Sequence, residues 1–123
     1  MTATFLMIVL TLTSGGQLSA AFSSAPTEAD CLVISKSVET ILKQAGYKIE
    51  RIGCFKSAQS FSPYEHGAPD NTPRQIYLVS IEGNEAKVTQ KDTMASCRSV
   101  SASIPQANGT AAYCATSIQT LVK

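Results

Sequence analysis

A chain of 123 residues with ten basic and nine acidic side chains, formal charge +1, has the length for one domain and too little for two independent cores. The basic residues form no run, do not interleave with aromatics and face no acidic tail, which removes nucleic acid and other polyanions from the expected partners. Four cysteines and a single histidine restrict the chemistry further.

In chain order, no charged residue precedes Glu28. Phe5 to Leu12, FLMIVLTL, is an apolar run of the length of a signal h-region and too short for a helix that spans a bilayer. Ser19-Ala20-Ala21 places small residues where a signal peptidase reads. The expectation is a secretory signal peptide over residues 1–21 cut before Phe22, although Met1 to Thr4 lacks the usual Lys or Arg. A flexible lead-in, 22–26, and a single disulfide-stabilised domain, 27–123, would follow. The protein would then be secreted or periplasmic, with no stable membrane span after cleavage.

Thr27 sits at an N-cap, with Glu28 and Asp30 favouring the positive end of the helix behind it. Cys31, Ile34, Val38, Ile41, Leu42 and Ala45 recur at the spacing of one buried helical face, and Gly46 supplies the left-handed residue that ends the helix. Tyr47 to Lys56 reads as a strand, either covered on both faces or carrying a bulge near Gly53. Residues 56–73 hold three prolines and repeat at neither period, the mark of a long irregular loop. Gln75 to Glu82 is the strongest strand. Gly83-Asn84 is a two-residue hairpin turn, and the return strand sets Ile81 opposite Ala86, Val79 opposite Val88 and Tyr77 opposite Gln90. Asp92 or Thr93 caps a short helix that Pro105 ends, and a turn at 105–109 leads to a final helix facing inward through Ala111, Cys114, Ala115, Ile118, Leu121 and Val122.

The expected fold is therefore α+β: a small antiparallel sheet of about three strands with helices packed on one face, in the order α-β-(long loop)-β-β-α-α, with two disulfides. The helix from Cys31 to Ala45 rises ~21 Å and the strand from Tyr47 to Cys54 returns ~23 Å, which brings Cys31 and Cys54 to one height. Cys97 and Cys114 flank the 105–109 turn at similar distances. The pairs Cys31–Cys54 and Cys97–Cys114 follow from this geometry, out of three connectivities.

No Walker, Rossmann or nucleophile-elbow motif is present, and no cysteine pair has zinc-knuckle spacing. Neither a metal nor a cofactor is expected, and the protein is not expected to be an enzyme. The loop 57–73 carries two aromatics, Phe61 and Tyr64, followed by Glu65 and His66, in a polar, proline-punctuated setting suited to recognition. The leading expectation is a small exported binding protein, an inhibitor, an immunity or adaptor protein or a secreted effector. It would contact another protein through that loop with Phe61, Tyr64, Glu65 and His66. The alternatives are a small secreted hydrolase or metal-dependent enzyme using His66 with Glu65 or Asp70, and an envelope assembly subunit joined through a free sheet edge.

Overall fold

A computed structural model describes residues 5–13, 15–62, 73–103 and 109–122. Six strands and two helices run in the order β1 (Phe5–Leu12), β2 (Leu18–Ala25), α1 (Glu28–Gln44), β3 (Lys48–Lys56), β4 (Gln75–Glu82), β5 (Glu85–Lys91), α2 (Met94–Ser103) and β6 (Thr110–Ser117). The strands close into a barrel of order β1-β2-β6-β4-β5-β3. This overturns the expected three-stranded sheet with helices on one face: there are twice as many strands, they close on themselves, and each helix lies on a different part of the outer surface.

Two segments account for the difference. Residues 5–25, expected to be signal and lead-in, form the hairpin β1–β2, whose ladder runs from Phe5↔Ala25 to Leu12↔Leu18. An apolar octamer containing Ile8, Val9 and Thr11 suits a strand buried on both faces as well as it suits an h-region. Leu6, Ile8 and Leu10 point into the barrel, whereas Met7 and Val9 point outward under α1. The second segment is the expected last helix, which is β6. It lies antiparallel on β4 from Gln75↔Ser117 to Glu82↔Thr110, with Ala115 and Ser117 buried. Its small residues fit either period, and the edge of β4 decides the outcome.

The β4–β5 register is the one its two-residue turn implies, with Tyr77↔Gln90, Val79↔Val88 and Ile81↔Ala86; Gly83 takes φ 60°. On β3 the irregularity falls at Glu50 and not near Gly53, because Leu10 pairs with Arg51 and Thr11 with Ile49. Helix α1 begins at Thr27, whose hydroxyl accepts from the Asp30 N–H at 3.1 Å. It ends in a Schellman motif, with Gly46 at φ 84° and the N–H groups of Gly46 and Tyr47 donating to Lys43 and Leu42 carbonyls.

The chain repeats one ββαβ unit. In β1-β2-α1-β3 and again in β4-β5-α2-β6, a hairpin is followed by a helix and by a strand that returns antiparallel to the first strand of the hairpin. Each helix is capped by a threonine hydroxyl, Thr27 or Thr93. Four residues after the cap comes the cysteine that joins the last strand of its own half, Cys31 to Cys54 and Cys97 to Cys114. The halves meet at two short parallel seams, β2/β6 through Leu18↔Ala115 and Ser19↔Thr116, and β3/β5 through Lys56↔Glu85.

Beyond those few pairs, the strand edges at the seams need other partners. Two glutamines supply them. The side-chain amide of Gln119 donates to the Phe22 carbonyl at 2.8 Å while its oxygen accepts from the Phe22 N–H at 2.7 Å. Gln59 does the same at Val88, 2.7 Å in each direction. Each glutamine is set by a serine two residues earlier, Ser117 or Ser57, whose hydroxyl accepts its backbone N–H. The strand tails also cross reciprocally, Ser62 N–H to Thr120 O and Val122 N–H to Ser60 O, both 2.8 Å.

Candidate functional site

The barrel interior is packed with Leu6, Ile8, Leu10, Phe22, Phe55, Tyr77, Val79, Ile81 and Val88. Phe61, expected as an exposed anchor, belongs to this packing. Its ring stacks on Phe22 at 4.0 Å between centroids and meets Tyr77 edge-on at 5.7 Å. Tyr64, Glu65, His66 and Asp70 lie outside the described residues, so the loop constellation has one described member, the half-buried Phe61.

The notable concavity lies outside the barrel. Helix α1 is tied to β3 by Cys31–Cys54 and sits to one side of the β1–β2 hairpin, because the bridge anchors its first turn over β3. Cys31 is the one fully buried residue of the helix. The flank carrying Ile34, Val38, Ile41 and Ala45 stands as a wall beside the outer face of β1–β2, and a cleft of about 1020 Å³ opens between them. Met7, Val9 and Ala21 form its floor, with Thr11, Ser19 and Ser23 among them. At one end are Gly46, Tyr47 and Lys48, and at the other Phe61 and Ser62. Although it belongs to the helix's apolar face, Ile41 is 63% exposed.

The second half serves as an internal control for this face. The outward pairs of β1–β2 are Met7↔Ser23, Val9↔Ala21 and Thr11↔Ser19; the corresponding pairs of β4–β5 are Leu78↔Thr89, Ser80↔Lys87 and Glu82↔Glu85. Lys87, Glu82 and Glu85 stand where the first half has Ala21, Thr11 and Ser19. Helix α2 has 10 residues against 17 in α1, a difference of seven, so among the described residues of α2 nothing corresponds to the wall made by Ile41 and Ala45. Since one scaffold occurs with and without the apolar face, the cleft is not a by-product of the fold.

Among the described residues Lys48 is the single charged residue lining the cleft. Among the described residues no group of three or more His, Cys, Asp or Glu side chains converges as metal ligands would, and no helix is long and apolar enough to cross a membrane. Burial raises the pKa of Tyr77, and the Leu121 N–H that donates to its oxygen at 2.9 Å partly lowers it. This phenol is structural, since its O–H donates to the Gln119 carbonyl at 2.8 Å. A smaller concavity of about 360 Å³ lies between α2 and β6, beside Arg98 and Tyr113.

Comparison with known proteins finds no family model, no curated protein and no solved structure that matches this chain.

Proposed function

We propose that this is a binding protein whose site is the cleft between α1 and β1–β2, and that its occupant is a small molecule with a substantial apolar body. The observation that carries the reading is the apolar face of the first half set against the charged equivalent face of the second. Volume and lining agree with it: ligand clefts hold roughly 300–1,000 Å³ and combine an apolar wall with a few polar groups that set orientation. Large exposed apolar side chains also gather on and around the first half, with Leu12, Ile34, Ile41 and Tyr47 at the cleft, and such concentrations mark binding surfaces.

A neutral, environment-sensitive dye such as Nile red tests the reading on the intact chain. Saturable binding with enhanced emission is expected. Ile41→Asp, at an exposed wall position, should weaken it about tenfold, the equivalent of ~1.4 kcal/mol for a lost aliphatic contact. Val33→Asp should leave binding unchanged, because Val33 is 70% exposed on the same helix outside the cleft. Absence of saturable binding, or equal effects of the two substitutions, would refute the proposal. A second reading, docking of another protein on α1, is favoured by Leu32 and Val33, exposed on the helix beyond the cleft; the Val33 variant is also its first test.

A further inference from the structure

Resting on the small-molecule reading above, we infer that the occupant is an amphiphile with an anionic head, its apolar body lying along α1 and its head at Lys48. The cleft is polar in an uneven way. From Ile34 to Ala45 the helical wall runs ~16 Å at 1.5 Å per residue and presents only apolar side chains to the cleft. Among the described residues its lining contains no carboxylate, and Lys48 is the one charged residue there.

Lys48 is the first residue of β3, four positions past the end of α1, and pairs with Leu12 on β1. It has no ion-pair partner among the described residues, whereas Lys43 on the same helix is paired with Glu39 at 3.5 Å. Tyr47 also lies at this end and adds a phenol donor, and Thr11, beside Ile49 in the β1–β3 ladder, turns its hydroxyl to the Ser19 carbonyl at 3.5 Å. The negative end of the α1 dipole would oppose an anion here. That effect is reduced, because the carbonyls of Ile41, Leu42 and Lys43 already accept the N–H groups of Ala45, Tyr47 and Gly46. An apolar wall ending at a cation with no ion-pair partner among the described residues, with a phenol beside it, complements a carboxylate or sulfate carried on a hydrocarbon body, and the described lining offers a cationic amphiphile no carboxylate.

The test is competition against Nile red on the intact chain with a matched pair of amphiphiles, dodecanoate and dodecan-1-ol, and with dodecyltrimethylammonium as the cationic arm. Dodecanoate should displace the dye about fivefold more effectively than the alcohol, the range of one partly exposed ion pair, and the advantage should shrink as salt is raised. Lys48→Gln should erase that advantage of acid over alcohol. Equal displacement by acid and alcohol, a preference that survives in Lys48→Gln, or better displacement by the cation would each overturn the inference while leaving the cleft itself in place. Failure of Nile red to bind would instead remove the reading on which it rests.

Discussion

Gln119 holds the β2/β6 seam, and replacing it with alanine should be one of the most damaging polar substitutions in the chain. The residue is 1% exposed. Its carboxamide accepts from the Phe22 N–H and donates to the carbonyls of Phe22 and Ser62, at 2.7, 2.8 and 2.8 Å. Gln119→Ala leaves those groups unpartnered at a site where Phe22 is itself 3% exposed. Each buried polar group left unsatisfied costs roughly 1–3 kcal/mol, carbonyls less than an N–H, and the vacated side chain adds a small cavity. Because the three contacts share one side chain they do not simply add, and a loss of about 3–5 kcal/mol follows, a large part of the roughly 5–15 kcal/mol that holds a domain together. Gln59→Ala removes two bonds at a partly buried edge that water can reach, and should cost about 1–2 kcal/mol. Urea unfolding followed by far-UV circular dichroism measures both, with unchanged m values as the check that midpoint shifts report stability. The account of the seams is refuted if Gln119→Ala costs less than about 1 kcal/mol, or no more than Gln59→Ala.

Deleting residues 1–21 should abolish cooperative unfolding, because it removes β1 with Leu6, Ile8 and Leu10, each at most 1% exposed; a truncated chain that melts cooperatively with both disulfides formed would place the stable core elsewhere. Tyr77 predicts an alkaline limit. Burial raises its pKa above the ordinary value of 10.0, so the folded state holds the phenolic proton more tightly than the unfolded chain does. That contribution is complete below about pH 10 and is lost as pH rises through the folded value. Unfolding free energies taken across this range should fall more steeply for the wild type than for Tyr77→Phe, and parallel curves would show that the phenol contributes no such linkage.

Helix α1, the β4–β5 hairpin and the geometry that sets Cys31 beside Cys54 could all be read from local signals: a cap, a glycine stop, a two-residue turn, and the rise per residue. β1 could not, since eight apolar residues carry no period that separates an exported leader from a strand covered on both sides. β6 was also hidden, because Ala111, Cys114 and Ala115 fit a helix until β4 offers an edge. The repeat did leave a trace: TEADC at 27–31 matches TMASC at 93–97 as T-x-A-x-C, and CFKSAQSF at 54–61 matches CATSIQTL at 114–121 as C-x-x-S-x-Q. Comparing the two cysteine contexts finds it, and periodicity does not. The cleft was only half legible. Ile34, Val38, Ile41 and Ala45 announce an apolar face, but whether a sheet covers that face depends on where the disulfide sets the helix. Nor does any local feature mark Gln59 and Gln119 as edge-sealing residues, since their partners lie far away in the chain.

The disulfides have a mechanical consequence. Each bridge closes within its own half, so the described structure amounts to two cross-linked tiles with no covalent staple from one to the other. The tiles meet along two lines of weakness, and the thinner is the β3/β5 line, where one ladder pair, Lys56↔Glu85, and the Gln59 clamp on Val88 bear the load. Neither disulfide crosses that line. Oxidation therefore stiffens each tile without cross-linking the joint between them, and the bridge that holds the wall of the cleft, α1 on β3, does not depend on that joint.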